Sequence, residues 1–130
     1  MKLLVDTHIW LWTLTTPERM NEAAREAIAN PANEVIVSVA SAWEVAIKHA
    51  LGKLPLHVPP ARLVEISVTM FAVNVLPIAL DHALAAAALP PHHRDPFDRM
   101  LVAQAQLDGL TLVTADDVLR QYGCTLLWAA

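Results

Sequence analysis

Asp6, Glu44, Asp98 and Asp116 are the residues of this chain whose positions suggest joint chemistry. Asp6 directly follows the apolar run KLLV, and Asp116 follows TLVT by two residues. In open α/β sheets, ligands bind beyond the carboxyl ends of the strands. Two acids at such ends approach each other if their strands are neighbours; taken singly, each could equally start a turn or cap a helix. Glu44 has Ala40, Ile47 and Leu51 at i−4, i+3 and i+7, and Asp98 has Leu101, Val102 and Ala105 at i+3, i+4 and i+7. Both therefore share the apolar face of a helix. A carboxylate there is costly unless a cation or hydrogen-bond donors compensate it. Lys48, one turn beyond Glu44, offers an ordinary ion pair, and a metal and an ion pair can coexist.

Four acids buried together repel and raise one another's pKa values. A hard divalent cation, Mg²⁺ or Mn²⁺, resolves this, because it prefers carboxylate and water oxygens. The chemistry such a site suits is hydrolysis, with water activated at neutral pH and the leaving oxygen of a phosphodiester stabilised. Asp6, Glu44, Asp98 and Asp116 are thus candidate metal ligands and catalytic groups. Asp95 has a simpler explanation: followed by Pro96, it opens a helix.

The elements that must position these acids alternate. Residues 2–5, 34–37, 73–78, 111–116 and 124–128 read as strands, the fourth together with its turn. Helices are predicted over 8–14, 22–29 (capped by Asn21), from Ser38 or Ser41 to about Leu51, near 61–71, over 81–89, from Asp95 and Pro96 to Leu107, and briefly at 118–122. Gly52 and Gly109 sit where helices stop. Alternation of this kind implies a parallel sheet of about five strands covered on both faces, and residues 1–130 read as one domain.

Composition narrows the class. A content of 55% hydrophobic and 17% charged residues excludes a disordered chain, and the apolar surplus predicts a self-association or partner surface. A net charge of −4 gives no bulk attraction for nucleic acid. The single cysteine, Cys124, excludes an internal disulfide and fits a reducing compartment. Asp6 and His8 interrupt the apolar N-terminus, and no run approaches a membrane span; a soluble cytoplasmic protein is expected.

Other chemistries fit less well. His92 and His93 are adjacent and lack zinc-ligand spacing, so they read as a solvated loop; because the loop leads into Asp98, His92, His93 and Arg94 could instead touch the phosphate of such a phosphodiester. His8 could face the site or the core. Trp43 reads as core, Trp10 and Trp12 as candidates for a partner surface, and Cys124 as buried core. Thr7 and Thr114 read as turn caps, although either could orient a carboxylate. A dehalogenase-like site would need an acid where His8 stands. A phospho-receiver would need one after the third strand, where Leu76 and Pro77 stand.

The motifs VDTHIWLW, SAWEVAIK followed by LGKL, HALAAAALPPHHRDPFDRMLVAQA and TLVTAD resemble the PIN domain, and more narrowly the VapC-type toxins of type II toxin–antitoxin systems. The match spans essentially the whole chain, in order. It implies a three-layer α/β/α fold, Mg²⁺- or Mn²⁺-dependent endoribonuclease activity on an RNA substrate, and a cognate VapB-like antitoxin that inhibits it. A homodimer or a toxin–antitoxin hetero-oligomer is implied, with no membrane association. The family's four acids fall on Asp6, Glu44, Asp98 and Asp116, with Asp95 and Asp117 as neighbours able to substitute. The alternative is a non-catalytic partner-binding module on the same fold; a missing acid would favour it, and none is missing.

Overall fold

The computed structural model describes residues 1–130. Strands β1 (Lys2–Val5), β2 (Glu34–Ser38), β3 (Asn74–Leu76), β4 (Thr111–Thr114) and β5 (Leu126–Trp128) form one sheet in the order β3-β2-β1-β4-β5, every pair parallel. Six α-helices connect them: α1 (Thr7–Thr15), α2 (Glu22–Ala29), α3 (Val39–Ala50), α4 (Pro60–Met70), α5 (Leu80–Ala88) and α6 (Pro96–Asp108).

The strands read as continuous apolar runs because both faces of the sheet are covered. Leu3, Val5, Val37 and Val113 pack on one side against Ile9 and Trp10 of α1, Val45 of α3 and Leu63 of α4. Leu4, Ile36 and Leu112 point the other way, onto Leu101, Val102 and Ala105 of α6. The result is a three-layer α/β/α architecture.

Most boundaries follow from local chemistry. Asp6, Asn21, Ser38 and Asp95 cap α1, α2, α3 and α6 with their side chains. Gly109 stops α6 at φ +66°, a conformation that costs glycine little, and Leu110 N–H then donates back to Ala105 O at 2.9 Å. The third strand is shorter than predicted, since Pro77 has no N–H to extend the ladder. A 3₁₀ turn, Pro17–Arg19, occupies the predicted break after α1, and a second one covers Asp117–Tyr122.

Three expectations are corrected. Trp10 is buried and donates its indole N–H to Ser67 Oγ at 2.9 Å, so it belongs to the core and not to a partner surface. Trp43 is the reverse: 58% exposed, its ring edge-on to Phe97 with centroids 5.4 Å apart. Cys124 precedes β5 and is only partly buried, at the margin of the α6-side core, where burial pushes its thiol pKa up.

Strand order reverses at β1. The chain builds outward through β2 and β3 on one side, then returns to place β4 and β5 on the other. The crevice beyond the C-terminal ends of β1 and β4 is the switch point of the sheet, where such folds bind ligands.

Candidate metal centre

Asp6 leaves β1 at that crevice. Its N–H donates to Val113 O at 3.0 Å, extending the β1–β4 ladder by one residue. Its side chain is fixed from two sides: Oδ1 accepts from Ile9 N at 2.8 Å, capping α1, and Oδ2 accepts from Thr114 Oγ1 at 2.5 Å. The group is 3% exposed, and burial, ahead of any other influence, raises its pKa. Thr114 in turn accepts from Asp116 N at 3.0 Å, so one hydroxyl links the acid after β1 to the acid after β4.

Glu44 approaches from α3 and is 3% exposed. Oε1 accepts from Thr7 Oγ1 at 2.7 Å, and Oε2 pairs with Lys48 Nζ at 2.5 Å. That hydrogen bond holds the proton on Lys48 and pushes its pKa up. Thr7 and Thr114 therefore serve carboxylates, contrary to the turn-cap expectation. Ser41, available as a helix cap from sequence, lies inside α3 and is 2.9 Å from Thr7 Oγ1 instead.

Asp98 and Asp116 meet at a residue the sequence had assigned to a solvated loop. His93 Nε2 lies 3.0 Å from Asp98 Oδ2 and 3.0 Å from Asp116 Oδ2, the latter a formed hydrogen bond. One ligand-capable atom of each of the three residues falls within 4.8 Å of the others. His93 is aimed by its other nitrogen, Nδ1, which accepts Asp95 N–H at 3.1 Å. His92, by contrast, is exposed and edge-on to Tyr122. Asp116 also caps the 3₁₀ turn through Val118 N.

Asp98 is the least compensated of the four. Its one close polar partner is His93. Burial first, then the charges of Asp95, Asp6 and Glu44, push its pKa to about 7. Asp116 thus meets Asp98 at His93 and lines one cleft with Asp6, while Glu44 is tied through Thr7 to the residue that follows Asp6. Asp95 acts as the cap of α6, accepting from Phe97 N and Asp98 N. Asp117 is exposed and lies 3.4 Å from Arg120. His8 is exposed at the rim of a cleft of about 350 Å³, lined also by Asp6, Trp12, Ala115, Asp116 and Asp117.

Arg99 holds the loop that carries His93. Its guanidinium donates to Ala86 O at 2.9 Å, Leu89 O at 3.0 Å and Pro90 O at 3.1 Å, with a longer contact to His93 O at 3.3 Å. It satisfies the orphan carbonyls at the end of α5 and ties them to α6. Arg99 did not stand out in the sequence, because nothing periodic marks a residue whose partners are loop carbonyls. A lysine cannot reproduce the fork. Arg99→Lys is expected to cost about 1–2 kcal/mol, seen as a lower denaturant midpoint at unchanged m-value, with faster proteolysis within 89–94.

The donor set suits a hard divalent cation: carboxylate oxygens on rigid elements, excess negative charge, and one carboxylate whose pKa burial and then the neighbouring acids push to about 7. Threonine hydroxyls, backbone N–H groups and Lys48 already restrain the remaining carboxylate oxygens, so the site is preorganised.

Comparison with known proteins agrees with this fold. The PIN domain family model matches residues 3–123. Ribonuclease VapC22 of Mycobacterium tuberculosis is 32% identical over 122 residues, covering 92% of this chain and 91% of that protein. Ribonuclease VapC16 of the same organism is 38% identical over 69 residues, covering 53% of this chain and 47% of its own length. The fold resembles VapBC2 of Rickettsia felis, with TM-score 0.74, 13% identity and all of both chains covered. It also resembles VapBC of Salmonella typhimurium, with TM-score 0.70, 18% identity and 98% of both chains covered. On the strength of the matching family model and the full-length relative, the chain belongs to the PIN domain family, among its VapC-type members.

Proposed function

We propose that this protein is a toxin endoribonuclease that hydrolyses RNA phosphodiester bonds with Mg²⁺ or Mn²⁺ held by Asp6, Glu44, Asp98 and Asp116. The observation that carries this reading is the set of carboxylates near the switch point, Asp6 and Glu44 buried and Asp98 and Asp116 partly so, with Asp98 and Asp116 meeting at His93. A divalent ion bound there supplies activation of water at neutral pH and neutralises charge on the phosphate. The chain's own groups fix its donors in advance. Thr114 and the Ile9 amide hold Asp6, and Thr7 holds Glu44. Lys48 offsets part of the negative charge that would repel RNA. His8 and Arg94, both exposed, are cationic or hydrogen-bonding groups available to flanking phosphates.

The partner of this reading is a VapB-like antitoxin. Its support is the likeness to chains from VapBC complexes and two apolar hollows that meet at Phe71. One, of about 420 Å³, is lined by Leu14, Leu56, Val58, Leu63 and Ile66; the other, of about 270 Å³, by Met20, Ile28, Val35 and Val73. Such surface is what an amphipathic partner segment covers. No helix is long and apolar enough to cross a membrane.

Purified protein is expected to cleave RNA with Mg²⁺ or Mn²⁺, to stop on chelation, and to resume when Mn²⁺ is restored. Cleavage undiminished by chelator would sink the reading.

A further inference from the structure

We propose that His93 is a built-in occupant of the metal site, whose N–H stands between Asp98 and Asp116 in the metal-free protein and must withdraw when a divalent cation is held there. The inference rests on the metal reading above and concerns how this chain fills its own site.

The argument starts from the ring's two nitrogens. Nδ1 accepts the Asp95 N–H at 3.1 Å, so Nδ1 carries no proton. The imidazole proton is therefore on Nε2. That nitrogen donates to Asp116 Oδ2 at 3.0 Å and stands equally close to Asp98 Oδ2. A protonated nitrogen offers no lone pair, so His93 in this orientation cannot ligate a metal. It presents the positive end of an N–H dipole to two carboxylates that otherwise repel. A divalent cation held by Asp98 and Asp116 would face that positive end and compete with it for carboxylate lone pairs.

The surroundings allow the ring to move. His93 is partly buried, with side-chain exposure of 19%, and it sits in the loop between α5 and α6. The loop is anchored behind it by Arg99 and by the Tyr122 hydroxyl, which accepts His93 N–H at 2.8 Å. Those anchors hold the backbone, and the ring itself is held only by the Asp95 N–H and the two carboxylates. Metal binding is thereby coupled to the outward turn of one imidazole.

Two substitutions separate the ring's two contacts. In His93→Asn the short amide can still accept from the Asp95 N–H, while nothing reaches the carboxylates. In His93→Gln an N–H donor is retained near the Nε2 position and the Nδ1 contact is lost. Mn²⁺ affinity is measured by the loss of the free-ion EPR signal, without RNA. His93→Asn is expected to bind Mn²⁺ several-fold more tightly than wild type, and His93→Gln about as wild type. In the wild type, the Nε2–H proton resonance, protected by its acceptors, is expected to vanish as Mg²⁺ is added. Equal or weaker Mn²⁺ binding by His93→Asn, or an Nε2–H signal that persists at saturation, would overturn the proposal while leaving the metal site standing. No Mn²⁺ binding by the wild type would overturn both.

Discussion

Asp98→Asn is expected to make the metal-free protein more stable at pH 8 while abolishing its ability to cut RNA. Asp98 ionises near pH 3.8 in the unfolded chain but near 7 in the fold, because it is buried and surrounded by Asp95, Asp6 and Glu44. Below pH 3.8 the group is protonated in both states and costs nothing. As pH rises from about 4 to 7, the unfolded chain releases its proton first, so stability is lost across that window. Above it the penalty is complete. At roughly 1.36 kcal/mol per unit, the ceiling is about 4 kcal/mol; relaxation and an imperfect asparagine contact with His93 reduce the expected gain to about 1–3 kcal/mol. The difference between variant and wild type is the quantity to follow, because Asp6 is shifted in the same direction. Thermal melts from pH 5 to 8 should show the two proteins diverging with rising pH. Saturating Mn²⁺ should raise the wild-type Tm and move the variant little, and cleavage should fall by at least about 10²-fold. A variant no more stable than wild type at pH 8 would refute the charge-strain account of Asp98.

How much of this could be read from the chain depends on how far each signal reaches. β1, β2 and β4 were legible because a sheet covered on both faces makes its strands uniformly apolar. Asp6 was legible because a strand end and a helix cap are both local. Helical spacing correctly put Glu44 on the buried side, although Leu51 at i+7 is 63% exposed, the helix having ended at Ala50. Trp43 is apolar yet exposed: one residue before Glu44, it is turned about 100° around α3 and faces outward. Thr7 and Thr114 could not be assigned, since a hydroxyl serves whichever carboxylate a neighbouring element brings. His93 was least legible of all: its partner Asp116 is 23 residues away, and its aim depends on the Asp95 amide. These are the residues that convert a set of acids into a shaped site, and they are placed by tertiary structure.

Asp6→Asn is expected to remove RNA cleavage, by about 10³-fold or more if the metal is lost, while changing stability by less than about 1 kcal/mol. Asparagine caps a helix as well as aspartate, so its Oδ1 can keep the Ile9 amide. The other contact can reverse polarity. Thr114 Oγ1 already accepts from Asp116 N and has a second lone pair for an asparagine N–H. What is lost is the threonine's own acceptor; what is gained is relief from burying a charge, the leading cause of the raised Asp6 pKa. These oppose each other, which is why the fold should tolerate the change. Asp6→Ala is the contrast: it discards the cap at a cost of about 1 kcal/mol and leaves the Thr114 O–H without an acceptor beside a void. If the charge of Asp6 does the chemistry, both variants are inactive but only the alanine one melts early. If Asp6 is only a cap, Asp6→Asn should cleave RNA like wild type, and the metal centre would have to be rebuilt without it.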